Sequence, residues 1–91
     1  MEFDWDPHKA LHNLRKHGVT FQEAATIFAD IFAITYPDPD HSRDEDRFIT
    51  IGLSKQNRLL IIAHAEREGL TRLISAREVT RTERKLYENK S

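Results

Sequence analysis

The chain has 91 residues, 38% of them apolar, no cysteine and a formal net charge of −1. That suits one domain, residues 1–91, around a single modest core with any site on an open surface groove. The missing cysteines exclude a disulfide framework and a thiolate zinc site; no apolar run approaches the roughly 20 residues of a membrane span, and Met1–Asp6 lacks the basic and apolar regions of a signal peptide, so the expectation is a soluble, cytoplasmic protein with no membrane role.

In chain order, Phe3 and Trp5 alternate with Glu2, Asp4 and Asp6, which predicts a short N-terminal strand. Asp6-Pro7 opens a helix and His17-Gly18 stops it, with Leu11 and Leu14 as its apolar stripe. Thr20-Phe-Gln-Glu23 reads as a capping box, with Val19 stapled against Ala24. It starts a second helix through Phe21, Ala24, Ala25 and Phe28. Strands then follow at Phe32–Tyr36 and around Phe48–Ile51, separated by a polar loop from Pro37 to Asp46 that carries Asp38, Asp40, His41 and Asp44. That loop lacks the spacing and central glycine of a calcium site and reads as a solvated acidic segment. Leu59–Ala63 is apolar throughout and predicts the central strand, and Leu70–Val79 completes the sheet. Thr80-Arg-Thr-Glu83 is a second capping box, opening a C-terminal helix with Leu86 and Tyr87 inward and Arg84, Lys85 and Lys90 outward. The predicted fold class is α+β: a short N-terminal strand, two helices, a four-stranded antiparallel sheet and a C-terminal helix.

Charge is divided along the chain. Residues 1–46 carry ten acidic and four basic side chains, residues 47–91 five acidic and ten basic. Seven of those ten cations are arginine, whose planar fork suits phosphate. The cationic half contains His64-Ala-Glu66-Arg67 and Ser75-Ala-Arg77, two stretches on strands joined by a short turn. Imidazole, carboxylate and guanidinium are the groups that metal-free cleavage of an RNA phosphodiester requires. If the turn centres on Glu68-Gly69, His64 opposes Leu73, and His64, Glu66, Ser75 and Arg77 share a face. With a three-residue loop, Arg77 points to the other side. His8, His12, His17 and His41 read as incidental; His8 and His12 are one helical turn apart but have no third metal ligand, so neither a metal nor another cofactor is expected.

Asp6-Pro-x-Lys9, Asn13-x-x-Lys16-His-Gly-Val19, Phe21-x-Glu23-Ala24, Arg47-Phe-Ile-x-Ile-Gly52, His64-x-Glu-Arg67 and Ile74-Ser-Ala-Arg77, followed by Glu83-Arg84 and Tyr87, together resemble the BrnT toxins over nearly the whole chain. The resemblance implies a RelE-like fold and an mRNA-cutting toxin of a type II toxin–antitoxin pair. It further implies silencing by a BrnA-like antitoxin, which supplies the DNA-reading part when the complex binds its promoter. The mechanism expected is attack by a ribose 2′-OH on the adjacent phosphate, without metal. Arg67 and Arg77 would clamp the phosphate, Glu66 or His64 would take the proton, and His64 or Tyr87 would return one. Lys55, Arg72, Arg81, Lys85 and Tyr87 are the candidate RNA-binding residues. The competing readings are a non-catalytic module that binds RNA or ribosomes, and one that only docks an antitoxin, with His64, Glu66, Arg77 and Tyr87 then structural.

Overall fold

Local signals set the N-terminal half. Residues 1–41 and 45–89 are described by the computed structural model; Asp44 of the acidic loop and the outward Lys90 lie outside them. Strand β1 (Glu2–Asp4) is followed by helix α1 (Pro7–His17) and helix α2 (Phe21–Ala25), which tightens into a 3₁₀ turn over Thr26–Ala29. The Asp6 carboxylate accepts the His8 N–H at 2.8 Å, and Gly18, at φ 70°, ends α1 by donating its N–H to Leu14 O. Thr20 caps α2 by accepting the Glu23 N–H at 3.0 Å. The reciprocal half of that capping box is replaced, because the Glu23 carboxylate accepts bonds from the Ser54 hydroxyl and the Arg58 guanidinium.

Four more strands follow: β2 (Ile34–Pro37), β3 (Asp46–Leu53), β4 (Leu59–Arg67) and β5 (Leu70–Glu78). Helix α3 (Arg81–Glu88) closes the fold behind a complete Thr80/Glu83 capping box. The sheet order is β1-β5-β4-β3-β2, with β4 central as the apolar run predicts. The predicted four-stranded antiparallel sheet of a RelE-like fold is corrected to a five-stranded mixed one. Strand β1 adds parallel to β5, Glu2 opposite Leu70 and Asp4 opposite Arg72. An alternating pattern announces a strand without naming its neighbour, and here Phe3 fixes the choice by packing on Phe28 under the helices at 5.3 Å.

Each sheet face has its own cluster. Helices α1 and α2 cover one, where Val19, Phe21, Ala24, Ile27, Leu60, Ile62, Leu73 and Ala76 are buried. On the other, Ile51, Leu59 and Ile61 pack with Ile34, Val79 and Tyr87, so α3 shields one end of the sheet and leaves the hairpin end open.

Three expected contacts are reversed. Leu11 and Leu14 are 47% and 42% exposed, and the buried residue of α1 is Asn13. Its side-chain amide donates to Val19 O at 3.0 Å and Ala76 O at 2.8 Å, and its Oδ1 accepts the Ala76 N–H at 3.0 Å. Because β1 pairs with β5 only as far as Arg72, this one amide stands in for the missing strand neighbour further along. Leu86 is half exposed while Tyr87 turns inward. Phe32, predicted to begin β2, is exposed in a turn where the Asp30 carboxylate accepts its N–H at 2.9 Å. Among the described residues no helix is long and apolar enough to cross a membrane.

Candidate functional site

The β4–β5 hairpin turns on Glu68 (φ 51°) and Gly69 (φ 82°), two successive positive φ values of the kind a tight two-residue hairpin uses. His64 therefore opposes Leu73, in the register that would gather the site. A β-bulge intervenes one residue later: Ala63 opposes Ser75, leaving Ile74 as the extra residue, and Ile61 opposes Arg77. Cross-strand partners share a face, so one inserted residue moves Ser75 and Arg77 to the side away from His64 and Glu66. The expected convergence of imidazole and the Arg77 guanidinium around one phosphate does not occur.

His64 is 2% exposed beneath the helices. Phe28 meets its ring edge-on at 5.0 Å and Phe48 stacks on it at 6.0 Å. Its Nδ1–H donates to Glu66 Oε2 at 2.6 Å; Nε2 then accepts the Thr50 hydroxyl at 2.7 Å, and Thr50 Oγ1 is 2.7 Å from Thr35 Oγ1. Thr71 donates to the other Glu66 oxygen at 2.8 Å. Burial pushes the imidazole below its ordinary 6.5, and the Glu66 contact only partly opposes this. His64 is thus a satisfied, neutral core residue, and the carboxylate it orients faces the helix side.

The open face carries the guanidiniums. Arg47, Arg67, Arg72 and Arg77 share it, around the small residues Ala63, Ala65 and Ser75. At the hairpin end a depression of about 210 Å³ is lined by Asp4, Glu45, Ala65, Arg67, Leu70 and Arg72. Each arginine stands beside a carboxylate: Arg72 donates to Asp4 at 2.7 Å, Glu45 lies 3.5 Å from both Arg47 and Arg67, and Arg77 makes a two-pronged contact with Glu83 at 2.8 and 2.9 Å. That contact lowers the Glu83 carboxyl to about 2. Tyr36 sits near Arg77 and Glu83, its phenol raised by burial and then by Glu83. The face can hold polyanion phosphates through exchange of these internal partners.

The remaining candidates scatter. Lys55 is exposed on the β3–β4 turn, at the far end of the sheet, roughly 25 Å from the hairpin turn at about 3.3 Å per strand residue. Arg81 and Lys85 are exposed on α3. Tyr87 donates to Asp30 at 2.6 Å, which ties α3 to the turn before β2, and its hydroxyl is pushed up to about 12, mainly by burial. Sequence reading missed Arg47 and Tyr36, whose place on the arginine face follows from strand register alone. The described residues contain no group of three His, Asp or Glu side chains able to hold a metal ion.

Sheet order, covering helices and an arginine-rimmed open face define a small α+β protein suited to an extended anionic ligand. The solved structure of the Brucella abortus ribonuclease toxin BrnT has the same fold, at a TM-score of 0.69 over 89% of this chain and 99% of that one, with 20% identity. No protein of curated function matches the sequence. Residues 5–83 match the family model described as the ribonuclease toxin, BrnT, of type II toxin–antitoxin systems. The chain belongs to the BrnT toxin family.

Proposed function

We propose that this toxin cleaves single-stranded RNA, mRNA in the cell, on the arginine face of its sheet, without a metal ion. The observation that carries this reading is four guanidiniums around a floor of Ala63, Ala65 and Ser75, side chains small enough for a phosphodiester to approach the backbone. In the reaction the 2′ oxygen bonds to phosphorus as the bond to the 5′ oxygen breaks, leaving a cyclic phosphate and a 5′-hydroxyl. Arg67, Arg72 and Arg77 stabilise the charge that grows on the non-bridging oxygens. Glu45, already between Arg47 and Arg67, is the proton acceptor in this reading, and water protonates the leaving oxygen. His64 and Glu66 act through the fold. A BrnA-like antitoxin silences the toxin by covering this face, and promoter DNA is met only through that partner.

The test is cleavage of end-labelled RNA by the purified protein in EDTA. Arg72→Ala and Arg77→Ala should each slow cleavage by roughly a hundredfold, and His64→Gln should leave it within a few-fold at temperatures where the variant is folded. Undiminished cutting by both arginine variants, or loss of cutting on chelation, would overturn the assignment.

A further inference from the structure

A second groove lies where α1 meets the edge of β5. It measures about 370 Å³, and its lining includes His8, Lys9, His12, Lys16, His17 and Ser75. Two rows of α1 supply it: 8-12-16 and 9-13-17, each at the four-residue spacing that stacks side chains on one helix face. The Asn13 amide bonds to Ala76 pin the helix against β5, and the missing continuation of β1 leaves this edge open.

Two features separate this groove from the arginine face. Its lining contains no carboxylate, and none of its lysines and histidines has an ion-pair partner among the described residues, whereas every guanidinium of the open face has one. Ser75 belongs to both surfaces. It lies between Arg72 and Arg77 on β5, on the open face, and it also borders the groove.

We infer that the α1–β5 groove continues the RNA site, holding nucleotides that flank the scissile phosphate as the strand passes over β5 at Ser75. This rests on the reading of the open face as the RNA-cleaving surface. Lys9 and Lys16 supply point charges for phosphates, and the three imidazoles supply flat rings on which unpaired bases stack. Rings alternating with ammonium groups suit single-stranded nucleic acid better than an acidic peptide, which has no bases to stack.

The experiment measures fluorescence anisotropy of a labelled, 2′-O-methylated RNA of about 12 nucleotides, long enough to span both surfaces and unable to be cut because its 2′ oxygens are blocked. A Lys9→Gln/Lys16→Gln double variant, which loses no internal ion pair, should melt as the parent does. It should bind about tenfold more weakly and show a log–log salt slope shallower by about 1.4, two single-strand phosphate contacts at about 0.7 each. Arg15→Gln removes one charge from the same helix outside the groove and should bind like the parent. Unchanged affinity and slope in the double variant, an equal loss in Arg15→Gln, or displacement of the RNA by polyglutamate as readily as by unlabelled RNA would each overturn the groove. Failure of the parent to cut unmodified RNA would overturn the open-face reading alone, since groove binding is read on a strand that cannot be cut.

Discussion

His64 and Arg77 lie on opposite faces of the sheet although their strands are hydrogen-bonded neighbours, and Ile74, the unpaired residue between Leu73 and Ser75, is the cause. Deleting Ile74 would join Leu73 to Ser75 in regular alternation, with Ser75 still opposite Ala63 and Arg77 still opposite Ile61, so His64 and Arg77 keep their opposite faces without the bulge. The expected outcome is a cooperative thermal transition retained in the deletion variant, followed by far-UV circular dichroism. Loss of the sharp melt would contradict the bulge as a device that only resets the alternation.

Replacing His64 with alanine empties a ring site between Phe28 and Phe48 and leaves Thr50 and Glu66 without their shared partner. The expected destabilisation is about 2–4 kcal/mol in urea or guanidinium titration. Wild-type stability should also fall with pH in a way the His64→Gln variant does not share. The folded imidazole titrates below its ordinary 6.5, so on acidification the unfolded chain takes up this proton first, and stability declines as pH drops below 6.5 towards the folded value. Melting temperatures of both proteins over that range measure the difference.

A second acid window belongs to Glu83. Its folded carboxyl sits at about 2 against an ordinary 4.5, chiefly through Arg77. Its contribution is therefore complete above 4.5 and is lost as pH falls from there towards 2. With Arg77 41% exposed, solvent screening keeps the contribution to about 1 kcal/mol or less. Glu83→Gln should flatten that part of the stability–pH curve. An identical acid limb in the variant would show that the pair adds nothing measurable.

Asn13→Ala should destabilise the protein by about 2–4 kcal/mol, because it removes the partner of the Ala76 N–H and C=O on an edge with no strand beside it. Asn13→Asp should be no better, since a carboxylate cannot donate to the Val19 and Ala76 carbonyls. Equilibrium unfolding of both variants measures this, and amide exchange at Ala76 should rise in Asn13→Ala, which leaves that N–H without its acceptor.

Much of the fold was legible because its signals are local. Asp6-Pro7, Gly18, Thr20 and Thr80 act within one turn of themselves, and the unbroken apolar run at Leu59–Ala63 admits only a central strand. What sequence could not supply was every decision taken across the chain. The parallel partner of β1 depends on Phe3 meeting Phe28, and the outward turn of Leu11 and Leu14 depends on Asn13 being needed at Ala76. The site suffered from the same limit at one position: the turn register was among those anticipated, but a bulge has no mark in the residues Leu73-Ile74-Ser75. Arg67, Arg72 and Arg77, singled out in the sequence, share the open face, whereas His64, expected beside Arg77, lies on the other face.

The pairing of Glu2–Asp4 with Leu70–Arg72 joins segments 68 residues apart in the sequence. Closing so long a loop carries an entropic cost that the three-residue β1 can offset only once β5 already stands beside β4. The Asp4–Arg72 contact and the depression it borders are therefore expected among the last parts of the fold to form and the first to open.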